Sequence, residues 1–257
     1  MRRYLLSTVC LFVSLAAVGQ QQDMTATVAE QQQSKPKAVA AQQQQIKKFH
    51  LFVGSTVLTT PSLGLTQKGV HFQGGVALRR WLEFGVDYAY FGGGSSNLTP
   101  SLFLPSVQTG LGQLLQNPGF ATYFAANPNY KLSVPYSATT WELAFGPQVN
   151  ITKFKKITPF FHPDLGMLKE TVTVKPRSGD LPAIAAVNAL LPSGKASDLV
   201  PYYGVGLGFN YNVSKRFAFK VHYDFVHCKV FDNLLADSRN SSRISFGPIY
   251  NFGPDVK

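Results

Sequence analysis

From about residue 47 to residue 252 the chain alternates large apolar residues with small, polar or charged ones. The clearest case is 216–227, where Phe217, Phe219, Val221, Tyr223 and Phe225 share one parity and Ala218, Lys220, His222 and Asp224 the other. Successive side chains of a strand point to opposite faces, so this segment is a strand with an aromatic face and a small or charged face. The division recurs. Val70, Phe72, Val76 and Leu78 oppose His71, Gln73, Gly75 and Ala77; Leu82, Phe84, Val86, Tyr88 and Tyr90 oppose Glu83, Gly85, Asp87 and Ala89. Trp141, Leu143 and Phe145 oppose Glu142, Ala144 and Gly146, and Tyr203, Val205 and Leu207 oppose Gly204, Gly206 and Gly208. Taken through the chain, the pattern predicts eight strands, near 49–58, 69–78, 82–90, 139–151, 157–174, 203–213, 216–227 and 244–252.

Connections predicted as long (60–66, 92–137, 175–199, 232–242) alternate with short ones (79–81, 152–156, 213–216). That rhythm fits an all-β, eight-stranded, antiparallel up-and-down barrel with long loops at one rim and tight turns at the other. Gly92, Gly93 and Gly94 end the third strand in this reading, and Pro159 and Pro163, lacking ladder donors, mark the fifth as a bulged strand. Leu181 to Leu191 is a helix-like apolar piece inside a loop. Parity alone admits two barrels: a soluble lipocalin-like one, apolar within, and a transmembrane one, apolar without. Bulky Phe and Tyr on one face suit lipid, and Lys, His and Asp beside Ala and Gly suit a narrow polar lumen. The reading adopted is the transmembrane barrel.

The amino terminus gives the chain an address. Arg2 and Arg3 precede an apolar run from Leu5 to Val18 with small residues at its end, which describes a secretory signal peptide over 1–19. Residues 20–46, rich in Gln and Ala and almost free of aromatics, read as a disordered periplasmic linker, leaving a barrel over 47–253 and a short tail over 254–257. The formal charge of +11 becomes +9 without Arg2 and Arg3, and in an exported protein that excess points to anionic lipid or lipopolysaccharide. Lys and Arg are scattered over turns, with no basic helix or finger spacing, so no nucleic-acid partner is expected. Cys10 belongs to the apolar run, so the remaining Cys228 can form neither an internal disulfide nor a cysteine zinc cluster. No metal or cofactor is expected.

With the signal peptide, the alternating strands and the closing Ile249-Tyr250-Asn251-Phe252 in hand, the chain resembles the eight-stranded outer-membrane barrels of Gram-negative bacteria: the OmpA membrane domain, the OmpX-like proteins and the opacity porin-like barrels. The resemblance spans about 47–253 and is to a fold class. It implies residence in the cell outer membrane, contact with its lipids and lipopolysaccharide, and insertion by the barrel assembly machinery. The family usually ends on its terminal aromatic residue, whereas five residues follow Phe252 here.

The inward parity carries Glu83, Asp87, Glu142, Asp164, Lys220, His222 and Asp224. Charges in a narrow lumen must be paired, which predicts Lys220 bonded to Glu142 or Asp224, either as a structural plug or as an ion path. His222, Asp224, His227, Ser241 and Ser242, from adjacent strands, offer the residue types of an outer-membrane lipid-modifying enzyme, with His227 and the two serines near the outer rim, but without that family's spacing of His and Ser on one strand, and no catalytic residue is assigned. The loops 92–137 and 175–199 are apolar, with Leu102, Phe103, Leu111, Phe120 and Phe124 among them; they either bury one another or hold an extracellular ligand. The function expected is structural or surface-interacting, with a narrow porin or hydrophobic-solute channel second and the enzyme third.

Overall fold

The computed structural model describes residues 46–154, 156–236 and 239–256; the predicted signal peptide and the linker up to residue 45 lie outside the described residues. Eight strands, β1 (Lys47–Thr60), β2 (Leu65–Arg79), β3 (Leu82–Leu98), β4 (Val134–Asn150), β5 (Ile157–Val174), β6 (Lys195–Asn212), β7 (Phe217–Cys228) and β8 (Arg239–Asp255), form a closed antiparallel barrel in sequence order. β1 pairs with β8 from Lys47↔Asp255 to Thr59↔Ser242, so the sheet has no free edge. Closure satisfies every strand's backbone donors within the sheet, which a bilayer demands because its core offers no water to bond them.

Burial decides between the two barrels that parity admits. Phe145, Leu165, Leu207, Phe219 and Phe246 are each more than half exposed, whereas His71, His162, His222, Asp224 and Arg243 have no exposed surface. A soluble barrel needs the reverse. The polar interior and the apolar band around all eight strands are the architecture of a transmembrane β-barrel. Among the described residues no helix is long and apolar enough to cross a membrane.

The structure departs from the sequence reading at several strand ends. β3 does not stop at the glycines. Gly93, at φ +71°, lets the chain bulge between Phe91 and Gly94, after which pairing with β4 resumes from Gly94↔Ala138 to Leu98↔Val134. The connection after β1 is a tight turn rather than a long loop: one 3-10 turn, Pro61–Leu63, followed by Gly64 at φ +58°. β5 carries no bulge at its prolines, for it keeps one register against β6 from Ile157↔Tyr211 to Thr173↔Lys195. β8 begins at Arg239, inside the expected loop, and ends two residues beyond 253.

Several strands therefore run past the membrane band at the loop rim, where the connections fold into a cap. The β3–β4 loop holds α1 (Pro105–Leu115) and α2 (Ala121–Ala126), and the β5–β6 loop holds α3 (Leu181–Leu190), close to the helix-like piece expected. Leu111 and Leu132 of one loop pack with Ala183, Ala186 and Val187 of the other, and with Tyr136, Val172, Tyr202 and Val226 of the barrel wall. Asp180 stitches the two loops: it caps α3 by accepting from the Ala183 N–H (3.2 Å) and accepts from the Tyr130 hydroxyl (2.7 Å). Partial burial and this bond to a carboxylate hold the Tyr130 phenol above its ordinary range.

Lumen glycines make room for the polar groups opposite. A Cβ at Gly206 would collide with Asp224 and with the His222 ring. Gly206→Leu should therefore lower stability by about 1 to 3 kcal/mol or more, as overpacking does, read as a lower urea midpoint for the refolded barrel.

Candidate functional site

All seven charged or ionisable residues singled out in the sequence lie in the lumen, none more than 8% exposed. The pairing differs from the one expected. Lys220 bonds neither Glu142 nor Asp224; its ammonium donates to the side-chain carbonyls of Gln73 and Gln148 (3.0 Å to the latter) and sits 4.4 Å over the Phe160 ring. Gln148 also donates to Glu83 (3.0 Å), which has His50 at 3.6 Å. Lys220 thus reaches its carboxylates through amides, because the register of the closed barrel puts Gln73 and Gln148 between them.

The cation that meets Glu142 and Asp224 is Arg243. Its Nε donates to Asp224 (2.7 Å) and its Nη1 to Glu142 (2.8 Å), while Nη2 stands 3.9 Å from Asp164. Three strands are tied by one guanidinium. Its planar fork suits this task, and the side chain is wholly buried. Arg243 was missed because the last strand was begun at Ile244; carrying the inward parity of Ser245 and Gly247 two residues back reaches it.

Around Arg243 lies a belt of imidazole–carboxylate contacts. His71 bonds Asp87 at 2.9 Å, His162 stands 3.0 Å from Asp164 and 3.8 Å from Asp87, and His222 stands 2.6 Å from Asp224. The His162 and His222 rings are 5.8 Å apart. The belt draws side chains from β2, β3, β4, β5, β7 and β8, with Thr56 of β1 bonded to Ser245 at 2.8 Å and Gly206 completing the ring on β6. A water-sized probe reaches none of His71, His162, His222, Asp224, Arg243 or Ser245.

Nearer the mouth, Glu170 and Arg239 form a second buried pair at 2.9 Å. Above it are two adjoining apolar cavities of about 40 and 30 Å³, sharing Leu98, Phe103, Leu191 and Leu234. Tyr136, Glu170 and Arg239 are among the residues around the first, but the surface it presents is wholly apolar.

Of the residues weighed for catalysis, His222 and Asp224 meet in the lumen, but neither serine nor His227 joins them. The His227 ring bonds Asn240 (2.7 Å), Ser242 bonds Tyr223 (3.0 Å) on the outer surface, and Ser241 points inward to Thr60 (2.7 Å).

No protein-family profile matches the chain, and no curated protein does. Solved structures with a similar course are membrane barrels. Neisserial surface protein A is 13% identical with a TM-score of 0.49, the match covering 80% of this chain and 97% of that one. OprG of Pseudomonas aeruginosa is 10% identical at 0.44, covering 82% and 98%. Ail, the attachment invasion locus protein of Yersinia pestis, solved with the heparin analogue sucrose octasulfate, is 9% identical at 0.43, covering 81% and 99%. With identities and TM-scores this low, the reading of this barrel rests on its own residues.

Proposed function

We propose that the protein is a sealed barrel of the bacterial outer membrane with a structural or surface-interaction role, its lumen closed by a charge network and its outer end presented by the helical cap. The observation that carries this reading is the layer of side chains around Arg243 that a water-sized probe does not reach. An eight-stranded barrel has an interior only wide enough for its side chains, and here large, mutually bonded ones occupy it. Membrane lipid and lipopolysaccharide contact follow from the apolar band, and insertion by the assembly machinery from that location. Liposomes carrying the refolded protein should swell no faster in arabinose or glycine than protein-free liposomes. Swelling at porin-like rates would replace this reading with the channel.

A second reading, an extracellular ligand held by loops 92–137 and 175–199, draws on the mouth cavities. Apolar walls that include Leu98, Phe103, Leu191 and Leu234 suit a small aliphatic ligand or the end of a hydrocarbon chain. Quenching of the protein's intrinsic fluorescence by a brominated fatty acid, lost in Leu234→Phe, which narrows the wall shared by both cavities, would support it. Equal quenching of both proteins would remove it.

A further inference from the structure

The lumen is short of positive charge. Among the described residues of the membrane-spanning layer, Glu83, Asp87, Glu142, Asp164 and Asp224 face two permanent cations, Lys220 and Arg243, and all seven are buried. Glu170 and Arg239, nearer the mouth, already cancel each other. Buried charge in excess is costly unless something neutralises it, and neutral imidazoles do not. A bound cation, protonated histidines or protonated carboxylates are the remedies open to these residues.

The geometry favours a cation at one place. The Asp87, His162 and Asp164 ligand atoms lie within 4.8 Å of one another, and all three side chains are buried. His162 Nε2 is 3.0 Å from Asp164 Oδ1 and 3.8 Å from Asp87 Oδ2. These separations bracket the roughly 3.3 Å between two ligand atoms on a tetrahedral ion with bonds near 2.0 to 2.1 Å. The contacts are close, yet both His162 nitrogens and Asp164 Oδ1 lack a hydrogen-bond partner in a site with no exposed surface at the ring. Unsatisfied buried donors and acceptors of this kind are rare and call for an occupant. The Asp87 carboxylate is oriented by the His71 ring on Oδ1 (2.9 Å), the oxygen away from His162, while the Gln73 amide donates to Oδ2 (3.3 Å).

We propose that Asp87, His162 and Asp164 form a divalent-metal site of the zinc class inside the barrel. One imidazole and two carboxylates are a hard-to-borderline donor set suited to Zn²⁺ or Co²⁺, with the remaining position left to water. The ion cancels two of the surplus negative charges and cross-links β3 to β5 through the lumen. No metal was expected from the sequence, where the absence of a cysteine cluster was the ground; this site uses no cysteine.

The test is to refold the full chain into detergent micelles with Zn²⁺, remove loose metal by chelator and gel filtration, and count zinc per folded barrel. Wild type and the outer-surface variant His227→Ala should each retain one equivalent, and His162→Gln and Asp164→Asn about tenfold less or lower still. Refolding wild type with Co²⁺ keeps the test independent of whether the variants fold: a four-coordinate site gives intense visible absorption. Folded wild type without zinc, a weak six-coordinate cobalt spectrum, or undiminished zinc in folded His162→Gln would each overturn the proposal; the first would leave the surplus charge to be cancelled by protons on the histidines or carboxylates.

Discussion

Replacing Arg243 with Met should destabilise the folded barrel by about 3 to 5 kcal/mol, the cost of leaving buried charges without their partner. Glu142 and Asp224 each lose their charged hydrogen bond, Asp164 loses its nearest cation, and none can turn to water in a layer without solvent. Lys220 cannot substitute, since its ammonium is held by Gln73 and Gln148. Arg243→Lys should fall between wild type and Met, because one ammonium does not reproduce a fork aimed at two carboxylates. Arg216, exposed in the turn before β7, should tolerate Ala within about 0.5 kcal/mol. Urea titration of the refolded proteins, followed by the gel shift between folded and unfolded barrel, reads all three; equal midpoints for Arg243→Met and Arg216→Ala would show that the network contributes nothing to stability.

Leu207→Arg is expected to weaken insertion by about 2 to 4 kcal/mol, the cost of a cation facing lipid near the bilayer midplane. Leu207 is 57% exposed on the apolar band and lies well inside β6, paired with Phe161 and Tyr223 on its neighbours. Phe219 faces the same lipid but sits near the start of β7, close to the short turns, where the cost of Arg declines toward about 0 to 1 kcal/mol. Folding yields into lipid vesicles should therefore fall steeply for Leu207→Arg and mildly for Phe219→Arg. Equal tolerance of Arg at Leu207 and in the turn at Ser214 would contradict the assignment of the outer face.

What could be read from the sequence was what depends on nearest neighbours along the chain. Parity placed His71, Gln73, Asp87, Glu142, Lys220, His222 and Asp224 inward, and the structure has each of them buried. Partners across the lumen were not legible. Gln73 and Lys220 are 147 residues apart, and their meeting is set by the register of strands around a closed sheet, which no local pattern contains. Strand ends failed for a related reason. Gly92 to Gly94 look like a terminator, yet Gly93 at φ +71° supports a bulge because β4 is there to continue the pairing. The same extension at β8 concealed Arg239 and Arg243, the two arginines that hold the buried carboxylates. The helices of the cap owe their positions to the apolar wall beneath them; only α3 showed as a helix-like run of its own.

The most direct measurement is ionic current through the refolded protein in a planar bilayer, since the central claim is a lumen closed at the Arg243 layer. The account predicts no unitary steps from wild type once folding is shown by the gel shift, whatever the sign of the applied voltage. A steady conductance from demonstrably folded barrel, altered by Asp224→Asn or Lys220→Met, would contradict it and make the charged layer an ion path.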